Sequence, residues 1–131
     1  MIQTKDIYWL AGLLEGEGCF QCQMRGIKRR RSLPTIIIAM SDRDVIERVR
    51  MLTAAPGRIC LQANPGRKQL FRLTIAGRKA VGLMMTIYCL MGERRKSRIR
   101  EVIQDWNQYA PRGKWPRRVG YRHGDGMSRA A

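Results

Sequence analysis

Residues 10–18 of the chain read Leu10-Ala11-Gly12-Leu13-Leu14-Glu15-Gly16-Glu17-Gly18. Gly12 and Gly16 are four positions apart, so in a helix they share one face. A glycine inside a helix costs up to about 1 kcal/mol relative to alanine. Two of them, with Ala11 alongside, indicate that another helix packs closely here. Tight packing within one subunit would explain the same small residues.

Glu17 is the second unusual residue of this segment. It falls in the last turn of the predicted helix, where the helix dipole disfavours a carboxylate. A bound cation would explain this placement, because Mg²⁺ is usually held by one or two carboxylates together with water and phosphate oxygens. Two such helices packed in parallel about a two-fold axis would bring two Glu17 carboxylates together at their ends.

The hydrophobic pattern around this segment predicts alternating helical and extended elements. A helix over 6–17, capped by Asp6 and stopped by Gly18, is followed by a strand from Cys19, where the period becomes two. Basic turn 26–31 leads to a strand over 35–40. A second helix, capped by Ser41 or Asp42, ends before Pro56. Strands over 58–63 and 69–75 follow, separated by a turn at 64–66, and helices from Gly77 to about Met91 and around 99–106 complete the order.

The fold class predicted from this order is α+β. The elements run helix, strand, strand, helix, strand, strand, helix, helix, which suggests one mixed or antiparallel four-stranded sheet with helices on one face. Residues 1–110 form the predicted domain, and 111–131 form a basic tail without periodicity. The uncovered sheet face would carry Gln21, Gln23, Arg25, Arg58, Gln62, Arg72 and Thr74. Arginine and glutamine are side chains that read guanine and adenine edges in the major groove.

Composition points to the same class of partner. The formal net charge of the 131 residues is +16, yet 44% are hydrophobic, so a folded basic domain is expected. A merely solvated basic surface, a ribosomal protein or a membrane-surface protein would share the charge. No apolar run approaches the roughly 20 residues of a membrane span, and no export signal is evident. We therefore expect an intracellular protein, in a bacterial or phage-host cytoplasm or an organelle, and not a secreted one.

The four cysteines give a weak signal. Cys19 and Cys22 form a lone CxxC, without a second pair and with His123 as the one histidine of the chain. Residues three apart on a strand face opposite sides, which argues against a zinc half-site. Buried free thiols are the expected state.

Residues 10–18 resemble the LAGLIDADG motif of homing endonucleases, specifically the single-motif, homodimeric type. Leu10 to Leu13 match its first four letters and Gly18 its last, while Glu15 and Glu17 replace its two aspartates. Leu14 stands for isoleucine and Gly16 for alanine. The resemblance in element order runs from about Asp6 to Tyr109 and leaves out the tail.

This resemblance implies an intron-encoded, site-specific DNA endonuclease that cuts both strands across the minor groove of a long, partly palindromic duplex site. It implies Mg²⁺ or Mn²⁺ as cofactor, held by Glu17 with the Gly16 carbonyl as a second oxygen. Glu15 would be structural or lie near the DNA backbone. The motif helices of two subunits would pack together through Leu10, Gly12, Leu13 and Gly16.

Two positions depart from the family pattern. Family members often carry a lysine near the start of the helix after the third, where it organises the attacking water; here Arg94 or Lys96 is the candidate. A polar residue, often glutamine, ends the second strand, and here Ser41 stands at that position. These three complete the expected catalytic set with Glu17.

Several basic runs predict phosphate contacts. One occupies the first hairpin with Arg25, Lys28, Arg29, Arg30 and Arg31, one the second hairpin with Arg67 and Lys68, and one the start of the last helix with Arg94, Arg95, Lys96, Arg98 and Arg100. The alternative is a non-cleaving binder of the same fold, such as an intron RNA maturase or a transcription regulator. A basic structural protein would leave the motif helix unexplained.

Overall fold

The computed structural model describes residues 2–25, 31–63 and 65–109. Its elements are α1 (Thr4–Glu17), β1 (Cys19–Arg25), β2 (Arg31–Met40), α2 (Arg43–Thr53), β3 (Cys60–Gln62), β4 (Leu70–Ala76), α3 (Arg78–Ile87), a short 3-10 helix (Tyr88–Leu90) and α4 (Glu93–Tyr109). The predicted α+β class and element order are confirmed. Predicted contact residues Lys28, Arg29 and Arg30 and the tail 111–131 lie outside the described residues.

The strands form one antiparallel sheet in the order β1-β2-β4-β3, so the mixed alternative is wrong. Strand β2 is central and pairs with β1 on one side and β4 on the other. Residues opposite each other share a face, as Phe20 does with Ile36 and Ile36 with Ile75. The β1–β2 and β3–β4 pairs are therefore connected at opposite ends of the sheet.

The hydrophobic core lies between one face of this sheet and the helices. Alternate strand residues supply one side of the core, and the apolar stripes of the helices supply the other, as the period-two and helical patterns predict. The fully or nearly fully buried members include Phe20, Ile36, Ile38, Leu73 and Ile75 from the sheet and Leu10, Leu14, Ile46, Val49, Met84, Ile99 and Val102 from the helices. None of the described helices packs against the opposite sheet face.

Three predicted boundaries are wrong. Helix α1 begins at Thr4 after Gln3, so Asp6 lies in the first turn and is not the cap. Arg31 pairs with Arg25 at the start of β2 and is not a turn residue, because strand pairing continues beyond the apolar run. Strand β3 covers only Cys60–Gln62, which leaves Arg58 in the preceding loop.

Gly18 ends α1 as predicted, and its lack of a side chain has a steric cause. A Cβ atom there would lie 2.7 Å from the Leu14 carbonyl oxygen, which accepts the Gly18 amide at 3.0 Å. The chain therefore turns directly from the motif helix into β1. This turn places Glu17 at the junction of helix and sheet.

The cysteines are not the buried thiols expected from their chemistry. Cys19 and Cys60 are exposed on the uncovered sheet face, Cys89 is exposed on the helical side, and Cys22 is half-buried. Cys19 and Cys22 do face opposite sides of β1, as their spacing requires. Within the described ranges, no helix is both long and apolar enough to cross a membrane.

Candidate metal and nucleic-acid site

Glu17 is an exposed carboxylate at the end of the motif helix. Among the described residues, none donates a hydrogen bond to its side chain or forms an ion pair with it. This is unusual in a chain with 26 Lys and Arg residues and only 10 Asp and Glu residues. The unpaired anion also lies beside the carbonyl end of α1, where the helix dipole adds further negative potential. Within the described part of the chain, no cationic side chain neutralises this carboxylate.

Arg95, on the first turns of α4, holds the backbone on both sides of Glu17. Its Nε donates to the Glu15 carbonyl at 3.0 Å, and its Nη1 donates to the Gly18 carbonyl at 2.6 Å. The guanidinium also lies over the Phe20 ring, 5.8 Å from the ring centre. In the sequence, Arg95 is one member of the basic run at the start of α4 that is predicted to contact phosphates. No sequence signal distinguishes it from its basic neighbours, because the difference is the direction in which its side chain leaves the helix.

Glu15, the other acidic residue of the motif, has a structural role. Its carboxylate accepts the backbone amide of Gly92 at 3.1 Å, next to the first turn of α4. An anion at a helix N-terminus is favoured by the dipole, as is a cation such as Arg95 at the C-terminus of α1. The two helix ends thus stabilise each other reciprocally.

The predicted catalytic partners of Glu17 have other surroundings. The Lys96 ammonium lies 3.5 Å from a Glu93 carboxylate oxygen and over the Tyr88 ring. Arg94 is exposed and makes no hydrogen bond or ion pair with a described residue. Ser41 is exposed immediately after β2, as expected for a residue at the strand end. Of the basic residues in the run, it is Arg95, not Lys96 or Arg94, whose side chain contacts the motif.

Two further arginines of the basic run on α4 also donate hydrogen bonds within the subunit. Arg98 donates to the Phe20 carbonyl at 2.9 Å and pairs with Glu101 at 2.7 Å. Arg100 donates to the Tyr88 hydroxyl at 2.5 Å. Both side chains remain exposed and keep further N–H donors, so phosphate contact stays a prediction for these two residues.

The uncovered sheet face presents the predicted polar residues in register. Gln21 lies opposite Thr35, Gln23 opposite Leu33, and Arg72 between Ala39 and Cys60. Thr74 lies opposite Ile37, Gln62 opposite Leu70, and the backbones of Arg25 and Arg31 pair at the end of the first hairpin. Arg58, Arg67 and Lys68 are exposed in the loops that flank β3.

The centre of this face is less exposed to solvent than its sequence suggested. Thr35 is only 1% exposed and Ile37 only 9% exposed, although none of the described helices covers them. The Thr35 hydroxyl donates to the Gln21 carbonyl at 3.4 Å. The middle of β2 is therefore shielded from solvent and separates two polar margins, one on β1 and one on β4 and β3.

The motif helix has an outer face that no other described residue covers at its two glycines. Gly12 and Gly16 are exposed, and a Cβ atom on either would have no described atom within 4 Å beyond its own helix backbone. Leu13 is half-buried against the core. Leu10 was predicted as an interface residue, which is wrong because its side chain is fully buried inside the subunit.

Comparison with solved structures gives a consistent match to this arrangement. The fold is similar to I-GzeII, a LAGLIDADG homing endonuclease in complex with its DNA target, with a TM-score of 0.59, 13% identity and 82% of this chain covered. It is similar to the group I intron-encoded homing endonuclease I-CeuI complexed with DNA, with a TM-score of 0.60, 14% identity and 79% covered. The chain has the LAGLIDADG homing-endonuclease fold. The archaeal intron-encoded I-Vdi141I, complexed with DNA, shares the LAGLIDADG fold at a TM-score of 0.54 and 11% identity, over 86% of this chain and 88% of its own.

The likeness lies in the fold and hardly at all in the amino-acid sequence. No family model matches the chain, and no curated protein matches it. The chain spans 36% of the length of I-GzeII and 55% of that of I-CeuI. A LAGLIDADG domain of this size therefore corresponds to only part of those two chains.

Proposed function

We propose that the protein is a site-specific, divalent-metal-dependent DNA endonuclease that acts as a homodimer on double-stranded DNA. The observation that carries this proposal is the exposed Glu17 carboxylate at the junction of the motif helix and the sheet, which has no partner among the described residues. A protein that only bound nucleic acid would gain nothing from an unneutralised anion beside a phosphate backbone. The DNA-bound neighbours of the same fold support the nuclease class.

The donor set fits a hard cation such as Mg²⁺ or Mn²⁺. Such ions take oxygen ligands, and Mg²⁺ keeps several waters, so one carboxylate per subunit is enough. Within the described residues, no three potential ligand side chains of the His, Cys, Asp or Glu type cluster together. Glu17 would hold the ion, with the Gly16 carbonyl as a neighbouring oxygen. When bound, the metal would stabilise the charge that develops on the scissile phosphate.

The glycines of α1 support the homodimer. Each costs up to about 1 kcal/mol relative to alanine in a helix interior, and no atom of the described residues lies close enough to require the missing side chain. A neighbour beyond the described part of the chain would explain why small residues stand here. A second copy of α1, packed against the face that holds Gly12 and Gly16, would need such small residues. The same two-fold axis would place two Glu17 residues side by side.

The uncovered sheet face would bind the major groove. Arg72 and the glutamines of β1 would contact base edges, with Thr74, Gln62 and Arg25 beside them. Phosphates would be held by the hairpin residues, including Arg67 and Lys68, and by Arg58 and Arg94. A +16 chain would be drawn to DNA electrostatically before any base is read.

A randomised duplex library tests the proposal directly. The protein is incubated with the library in Mg²⁺, and in parallel in Mn²⁺ and in EDTA, and the ends produced are sequenced. We expect metal-dependent ends that share one long, partly symmetric sequence. Retention of one duplex sequence without any cutting in either metal would instead support a regulator. Preferential retention of folded RNA from a matched RNA library would support a maturase.

A further inference from the structure

We infer that Arg95 is a positioning residue for the metal-bearing turn, Gly16–Glu17–Gly18. This inference rests on the proposed function, because it concerns how the proposed ligand Glu17 is held. It adds a residue that contacts neither the metal nor DNA in the proposal. Arg95 would act only through the backbone on either side of Glu17.

The geometry is a bridge made by one guanidinium. Its two donors reach the Glu15 carbonyl at 3.0 Å and the Gly18 carbonyl at 2.6 Å, so both ends of the turn are tied to one planar group. The donors of arginine are fixed in a fork, whereas the three donors of a lysine ammonium share one nitrogen at the end of a flexible stem. Lysine could hold one carbonyl but could not keep the two at a fixed separation.

Further contacts hold the Arg95 side chain and its helix in place. Arg95 is only partly exposed and lies over Phe20, which is 2% exposed in the core. One turn further along α4, Arg98 donates to the Phe20 carbonyl at 2.9 Å. The Glu15 carboxylate returns a hydrogen bond to Gly92. Helix α4 therefore fixes the chain from the end of α1 into β1.

The consequence is a preorganised ligand. Between its two tied neighbours, the Cα atom of Glu17 has little freedom, so the carboxylate starts from a defined position. Binding of an ion then requires less ordering of the turn, and preorganisation raises affinity by reducing that loss. Without the bridge, the ion would have to order the end of α1 as it binds.

The first test measures the turn without metal or DNA. Amide hydrogen exchange is followed by NMR for the wild type, Arg95→Ala, Arg95→Lys and Arg50→Ala. Arg50 is an exposed arginine on α2 and controls for the loss of one positive charge. We expect at least tenfold faster exchange at the Gly18 amide in Arg95→Ala, a smaller increase in Arg95→Lys, and no change in Arg50→Ala. Unchanged exchange in both Arg95 variants would overturn the bridge.

The second test measures the metal itself. Mn²⁺ is titrated, with EPR detection of the free aquo ion, into each protein bound to the duplex selected from the library. We expect the midpoint for bound Mn²⁺ to rise about tenfold in Arg95→Ala and less in Arg95→Lys. DNA affinity in EDTA should change less than about threefold. If Arg95→Ala does not fold, the comparison is made on Arg95→Lys alone.

The outcomes separate this inference from the function on which it rests. A wild type that binds no Mn²⁺ beyond the level of Glu17→Gln would remove the proposed function itself. A wild type that binds Mn²⁺ with a midpoint shared by both Arg95 variants would leave the function standing and overturn the positioning role. A lower melting temperature alone, with the midpoint unchanged, would show that Arg95 is only structural.

Discussion

The Glu15 carboxylate accepts the amide of Gly92 across 77 positions of sequence, with 3.1 Å between oxygen and nitrogen. Gly92 leaves room for this contact, because a Cβ atom there would lie 2.9 Å from the second carboxylate oxygen. The glycine that precedes α4 and the first acidic residue of the motif therefore depend on each other. Any side chain at position 92 would have to displace the Glu15 carboxylate from its present place.

Gly92→Ala should displace the Glu15 carboxylate and lower the free energy of unfolding by about 1 kcal/mol, the usual net value of one hydrogen bond. That corresponds to a fall of a few degrees in melting temperature. A double-mutant cycle by thermal unfolding checks the cause. In a Glu15→Ala background, Gly92→Ala should lower the free energy of unfolding by much less. An equal loss in both backgrounds would disprove the coupling.

Glu17→Gln should abolish cutting while DNA binding stays intact or becomes tighter. The substitution keeps the size and hydrogen bonding of the side chain but removes the charge that a divalent cation needs and that phosphate repels. Cleavage rate and binding affinity are measured on the selected duplex. Glu15→Gln is the matched control and should have a much smaller effect, because an amide oxygen can still accept the Gly92 amide. Wild-type cutting by Glu17→Gln would contradict the mechanism.

Gly12→Leu should leave the subunit folded but disrupt the dimer. A Cβ atom at Gly12 meets no described atom within 4 Å, so we expect the larger side chain to clash with the second copy and not with its own subunit. Gly82→Leu is the control, since Gly82 is an exposed glycine in α3 with equally free surroundings. Sedimentation equilibrium and circular dichroism are measured for all three proteins. A monomeric wild type at micromolar concentration, with and without DNA, would rule out this interface.

Arg72→Ala should cost about 1–3 kcal/mol of DNA binding and relax the base preference at one position of each half-site. Arg72 lies between Ala39 and Cys60 on the uncovered sheet face, and its side chain is partly exposed. Arg67→Ala should instead lower the affinity for all DNA sequences to the same extent and reduce the salt dependence of binding. Library sequencing and salt titrations check both, and an unchanged sequence profile for Arg72→Ala would show that it does not read bases.

Much of the fold followed from periodicity, because burial of one helix stripe and one strand face leaves a direct trace in the sequence. The change of period at Cys19 located the end of α1, and Gly18 was placed correctly as its stop. The predicted ends of β2 and β3 were wrong, because the length of a strand also depends on how far its partner strand pairs with it. Arg31 extends β2 through pairing with Arg25, which its own polarity could not indicate.

The candidate site was only partly predictable for a different reason. Glu17 stood out by its position at the end of the motif helix. Arg95 was one of several adjacent basic residues and differed from them only in the direction in which its side chain leaves α4. Sequence spacing could not show that Arg95 and Arg98 turn toward backbone carbonyls of distant residues. Leu10 was misassigned because a motif letter shared with a dimer helix can equally belong to the subunit core, where it is fully buried.

The shielded centre of β2 has a consequence for the thermodynamics of association. Thr35 and Ile37 have already lost most of their hydration in the free chain, at 1% and 9% exposure. A duplex laid on the sheet can remove little further water from them. The negative heat-capacity change that accompanies burial of apolar surface would therefore come mainly from the margins of the sheet. Calorimetry should find association enthalpy less temperature-dependent than the area of the whole face would suggest.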